Sequence, residues 1–179
     1  MFIEAPNFAT MRETRTDEPM AVPPSRAIAQ AARQLTRILQ THGPHAIGFC
    51  VSESLSAETH YVVSRFARGS LRTAQLLHDA VEAKAAVARG EIHAIWLVGG
   101  HPQDDFVPSA DVVIVQDDIP STVPADIFFP SMRGDALGSS QTKPDWWWIQ
   151  QVARAMGFNA GLQFASTAEI HNEMIALTF

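Results

Sequence analysis

An α/β fold is predicted for this chain: a parallel or mostly parallel sheet of about four strands with flanking helices. Three observations predict it. Short apolar runs bounded by turn residues recur at 46–51, 93–98, 111–115 and 126–129, as expected of strands covered on both faces. Stretches with apolar residues three and four apart lie before, among and after these runs, which is the period of an amphipathic helix. Strands separated by helices pair in parallel through right-handed crossovers.

Residues 1–24 contain four prolines, including Pro23-Pro24, with scattered charges and no apolar period. They read as an irregular N-terminal arm, leaving 25–179 as a single α/β domain. Ser25 is placed to cap a helix over 26–41 with Ile28, Ala32, Leu35 and Leu39 as its apolar stripe, and His42-Gly43-Pro44 stops it. After the strand at 46–51, a helical span puts Tyr61, Val62 and Phe66, then Leu76, Leu77 and Val81, on successive turns. It reads as one broken helix or as two helices meeting at Gly69-Ser70, and Gly90 closes it. Pro144 suits the first position of a later helix, in which Trp148, Val152 and Met156 form an i, i+4, i+8 seam ending at Gly157. Ser166 with Glu169 matches a capping box for a last helix with Ile170, Met174 and Leu177 facing inward.

Composition narrows the function. Hydrophobic residues are 46% and charged residues 18% of the 179, an ordinary globular balance. No run approaches the roughly 18 apolar residues of a spanning helix. The first residues lack the basic and apolar regions of a secretory signal, so the expectation is a cytoplasmic protein with no membrane partner. A formal charge of −6 disfavours nucleic acid, whose affinity comes from Lys and Arg neutralising phosphates. The single cysteine, Cys50, excludes an internal disulfide or a multi-cysteine cluster held by this chain alone. In an apolar strand it should behave as a small hydrophobe. His42 and His45 straddle Gly43-Pro44, whereas zinc needs three or four converging ligands, so no metal site is expected. Ser52-Glu53-Ser54 lacks a G-x-S-x-G elbow, and no catalytic residue is assigned.

The candidate binding residues are Gly99, Gly100, His101, Pro102, Gln116 and Asp117, which follow or end two neighbouring strands. Ligands of open parallel sheets bind at the carboxyl ends of the strands. The competing reading is a plain glycine turn, since the spaced glycine fingerprint is incomplete. Phe128-Phe129 and Trp146-Trp147-Trp148 are either core or an aromatic docking surface, helical spacing burying one or two of the tryptophans.

Several segments fall in a suggestive order: Thr41-His42-Gly43-Pro44-His45-Ala46-Ile47-Gly48-Phe49, Glu58-Thr59-His60-Tyr61-Val62-Val63 and Gly90-Glu91-Ile92-His93-Ala94-Ile95-Trp96. These are followed by Asp111-Val112-Val113-Ile114-Val115-Gln116-Asp117, Ala125-Asp126-Ile127-Phe128-Phe129-Pro130, Lys143-Pro144-Asp145-Trp146-Trp147-Trp148 and Ala153-Arg154-Ala155-Met156-Gly157-Phe158. The series resembles the late α/β domain of molybdopterin oxidoreductases, most closely the catalytic subunit of assimilatory nitrate reductases. The resemblance implies that the Gly99–Pro102 loop, with His101 where the family has Asn, and the Gln116-Asp117 strand end lie among elements holding molybdopterin guanine dinucleotide. The family's four-cysteine iron–sulfur motif, its molybdenum-ligating cysteine and its E-x-x-G-T-x-x-N-x-E-R segment have no counterpart. The implied function is a non-catalytic or remnant relative, accessory or structural, with no cofactor expected on the isolated chain and a second copy or a larger oxidoreductase subunit as partner. The alternative is an oxidoreductase component that helps bind the dinucleotide in a larger nitrate reductase-like assembly. A third reading is an independent small-ligand binder at the Gly99–Pro102 edge.

Overall fold

The four apolar runs become four adjacent parallel strands. The computed structural model describes residues 9–13, 17–73, 75–77, 79–99, 110–117, 125–131 and 143–177. In chain order the elements are β1 (Ala9–Met11), β2 (Met20–Val22), α1 (Pro24–His42), β3 (Ile47–Val51), α2 (Ala57–Ser64), β4 (Leu76–Leu77) and α3 (Ala80–Ala88). They continue with β5 (Ala94–Val98), β6 (Val112–Asp117), β7 (Ile127–Pro130), α4 (Asp145–Ala155) and α5 (Thr167–Ala176).

The sheet has seven strands in the order β2-β1-β7-β6-β5-β3-β4. β4, β3, β5, β6 and β7 are mutually parallel, whereas β1 runs antiparallel to both β7 and β2. The sheet is therefore mixed and larger than the expected four strands. The additions are edge strands of two or three residues, too short for a period-2 pattern to register. Residues 9–11 and 20–22, expected to be irregular, thus extend the sheet. Leu76 and Leu77, expected on a helix, form β4 instead. They are steered there by Thr73, whose hydroxyl donates to the Ile47 carbonyl at 3.0 Å and accepts from the Gln75 N–H at 3.2 Å. Val81, expected to face inward, is 78% exposed.

Alternation along the strands builds two cores. One face carries Phe49, Ala94, Trp96, Val98, Val112, Ile114, Ile127 and Phe129 and packs against α1, α2, α4 and α5. The other carries Ile95, Leu97, Val113, Val115 and Phe128, with Ala83, Ala86 and Val87 of α3 in the same cluster. Rings cross the first core in a relay: Phe49 with Trp96 at 6.0 Å, Trp96 with Phe129 at 5.8 Å, and Phe129 with Trp148 at 5.0 Å between centroids. Each such pair adds about 0.5–1.5 kcal/mol to its burial, so the relay fixes α4 over the centre of the sheet.

Helix ends differ from expectation in detail. α1 starts one residue before Ser25, at Pro24, and its first turn closes on the Pro23 carbonyl rather than on a side-chain cap. Its buried stripe is Ala27, Ala31, Ala32, Leu35 and Ile38, with Ile28 and Leu39 at the margin. Alanines let α1 approach α4 closely, and a reading weighted to large aliphatics rotates the stripe by about one residue. α2 runs into a wide turn over Arg65–Ser70 that ends with Leu71 N–H on the Phe66 carbonyl. α5 begins at Ser166 as expected: its hydroxyl accepts from Glu169 N–H at 3.3 Å, and the Glu169 carboxylate accepts from Ala165 N–H at 2.8 Å. Ile170 is buried, but Leu177 is 66% exposed. No helix among the described residues is long and apolar enough to cross a membrane.

Candidate functional site

The parallel strands end along one edge, and backbone bonds extend their ladder past it. Ser52 N–H donates to the Val98 carbonyl at 2.9 Å, Gly99 N–H to the Gln116 carbonyl at 2.8 Å, and Ser131 N–H to the Asp117 carbonyl at 2.8 Å. This brings Gly99, Gln116 and Asp117 together as the strand-edge argument expects. Gly100, His101 and Pro102 lie outside the described residues.

Gly99 has a left-handed φ of +68°, and a Cβ there would meet Leu55 Cδ2 at 2.5 Å. Leu55 hangs over the β5 end because the 52–56 turn doubles back. Leu55 N–H donates to the Ser52 carbonyl at 3.2 Å, and Ser56 then caps α2 by accepting from Thr59 N–H at 3.2 Å. Two requirements, φ and close approach, therefore select glycine.

Next to it lies a buried polar cluster. Gln116 and Asp117 are 0% exposed, Ser131 2% and Asp145 7%. Gln116 Nε2 donates to the Asp145 carbonyl at 2.9 Å and to Asp145 Oδ1 at 3.0 Å, and the Ser131 hydroxyl donates to the same Oδ1. Asp145 opens α4, where the positive end of the helix dipole favours an acidic side chain. The cluster ties the start of α4 to the ends of β6 and β7. Gln116 Oε1 is buried and has no hydrogen-bond partner among the described residues.

Among the described residues, the space beside Gly99 and the groups at the β6 end are already engaged. Leu55 occupies the space above Gly99, the Gln116 amide nitrogen is turned to Asp145, and Asp117 is shielded from solvent. The aromatic segment considered as a docking surface is also internal: Phe128, Phe129, Trp146 and Trp148 are buried, and Trp147 is half-buried beneath the Lys143 ammonium, 5.4 Å from its ring centre.

Cys50 sits on β3, partly buried. Burial first, then the nearby carboxylates of Asp79 and Glu82, pushes its thiol up to about 11. A thiol so disfavoured as thiolate is a weak nucleophile and a weak metal ligand.

No family model matches the chain. In sequence it is similar to the nitrate reductase of Shewanella frigidimarina (strain NCIMB 400), 31% identical over 130 aligned positions that take in 55% of this chain and 14% of that protein. It is also similar to the nitrate reductase of Klebsiella oxytoca, 28% identical over 129 positions, 55% of this chain and 15% of that protein. The chain thus spans only a small part of the length of these curated relatives. Over somewhat more than half of its own length, the chain is related in sequence to nitrate reductases.

Proposed function

We propose that this chain is a nitrate reductase-related accessory or structural component that does not itself run a redox reaction. The observation behind this reading is its sulfur chemistry. The sequence has one cysteine, and that thiol lies on a sheet strand with its pKa raised to about 11. An iron–sulfur cluster is held by several thiolates, so this chain alone lacks the ligands for an electron relay of that kind. The expected partner is a larger oxidoreductase subunit or a second copy of the chain. Viologen-coupled nitrate reduction by pure, metal-analysed protein tests the reading. No turnover is expected, and turnover that disappears in Cys50→Ala would overturn it.

The alternative is a component that helps hold molybdopterin guanine dinucleotide, a group that would supply the redox chemistry when bound. One observation favours it, the buried Gln116 Oε1 at the strand edge, which has no partner among the described residues. Native mass spectrometry and guanine-nucleotide titration separate the two readings. Nucleotide binding that is lost in a His101→Ala, Asp117→Ala double variant would replace the first reading with the second.

A further inference from the structure

At the opposite, amino-terminal edge of the sheet, three side chains from three segments converge. His42 is the last residue of α1, His93 immediately precedes β5, and Asp111 immediately precedes β6. Strand register explains the meeting: Ala94 pairs with Val112, which sets the preceding residues, His93 and Asp111, side by side. Backbone bonds fix them there, with His93 N–H on the Ala46 carbonyl at 2.8 Å and Val112 N–H on the His93 carbonyl at 3.0 Å. His93 Nδ1 lies 2.7 Å from Asp111 Oδ2. The His42 ring stacks on His93 with centroids 3.6 Å apart and planes 14° from parallel. One ligand-type atom from each of the three residues lies within 4.8 Å of the others.

We infer that His42, His93 and Asp111 form a binding site for a late first-row divalent metal ion such as zinc or nickel. Two imidazoles and one carboxylate are a donor set that suits these ions. Tetrahedral ligands at about 2.1 Å from an ion stand about 3.4 Å apart. The observed spacing, 2.7 Å for the closest pair and no more than 4.8 Å for any, brackets that value, so the three atoms are within reach of one ion; binding would replace the His93–Asp111 hydrogen bond and turn the His42 ring at the exposed helix end out of its stack on His93, so that both ring nitrogens aim at the same point. The field also favours a cation: His42 ends a 19-residue helix, whose C-terminus presents partial negative charge, and Asp111 adds a carboxylate. Half-exposed Asp111 and exposed His42 leave the outer positions open to water. The ion would clip the end of α1 to the starts of β5 and β6, far along the strands from the Gly99 edge, and is independent of the function proposed above.

Calorimetric titration of the full chain with Zn²⁺ and with Ni²⁺, read together with histidine ring NMR signals, tests the site. One ion per chain is expected, the His42 and His93 signals shifting together with occupancy. Replacing either ligand as His42→Gln or His93→Gln should weaken binding by roughly tenfold or more, and Asp111→Asn by roughly 10–100-fold. His42→Gln lies at an exposed helix end, which keeps one variant folded if the sheet-edge variants misbehave. Wild-type affinity in the His42→Gln, His93→Gln double variant would overturn the assignment. So would ion-dependent shifts confined to other histidines, or no binding at millimolar ion.

Discussion

Replacing Gly99 with alanine should destabilise the fold through two separable terms. A non-glycine residue at a φ of +68° costs about 1–2 kcal/mol. The added Cβ would stand 2.5 Å from Leu55 Cδ2 and 2.7 Å from its Cγ and Cδ1, and forcing such an overpacked contact costs about 1–3 kcal/mol. Alanine narrows the unfolded ensemble and returns about 0.4–1 kcal/mol. The net expectation is a loss of about 1–5 kcal/mol, read as a lower urea midpoint at unchanged slope. Leu55→Ala removes the obstructing methyls but leaves the dihedral strain. The cycle of Gly99→Ala, Leu55→Ala and the double variant should therefore give a favourable coupling of about 1–3 kcal/mol, equal to the steric term. Additivity within about 0.5 kcal/mol would refute the claim that the close approach of Leu55 is one of the two requirements that select glycine at position 99.

Three further outcomes follow from individual contacts. Alkylation of Cys50 should reach half its maximal rate near pH 11 rather than near 9.0, and at pH 8 it should run roughly a hundredfold slower than an exposed thiol of similar nucleophilicity. Because its folded pKa lies above the unfolded value, its contribution to stability is whole below about pH 9 and fades as pH climbs through about 11; a Cys50→Ala variant should lack that slope in pH-dependent urea denaturation. Gln150 clips α4 to the following loop, its Nε2 donating to the Phe164 carbonyl at 3.0 Å and its Oε1 accepting from Phe164 N–H at 2.7 Å. Gln150→Leu orphans both backbone groups and should cost about 2–5 kcal/mol, measured by urea unfolding. Ser166→Ala removes the α5 cap and should cost about 1 kcal/mol, with amide exchange accelerated chiefly at Thr167, Ala168 and Glu169.

The central sheet could be read from residue order because its strands are buried on both faces and leave nearly unbroken apolar runs at 47–51, 94–98 and 112–115. The edges could not. Ala9–Met11 is held by pairing to a strand more than a hundred residues later in the chain, with Thr10 opposite Phe128, and Met20–Val22 pairs in turn with Ala9–Met11; nothing local in Thr-Met or Ala-Val announces the distant partner. Leu76 and Leu77 misled for the opposite reason: apolar neighbours four and five residues ahead of Val81 imitate a helix stripe, while the deciding contact is Thr73 reaching the Ile47 carbonyl.

The two side-chain clusters show what a periodic reading can and cannot reach. Gln116 shares parity with Val112 and Ile114, which face α1 and α4, so its position two residues along the same face already points its amide at the α4 side of the sheet. Asp145 as its partner follows once α4 is known to start there. A strand's carboxyl end nominates residues, but alternation decides which of them face solvent, and here it turns Gln116 inward. His93 and Asp111 required one step more. They are 18 residues apart, each directly ahead of an apolar strand, and a parallel register with no offset between Ala94 and Val112 makes them neighbours. His42 joins because α1 must end where β3 begins, at the same edge of the sheet. Searching for ligands by closeness in sequence paired His42 with His45; searching by strand starts would have found His93 and Asp111, since in a parallel sheet the residues preceding adjacent strands collect at one edge as reliably as those following them collect at the other.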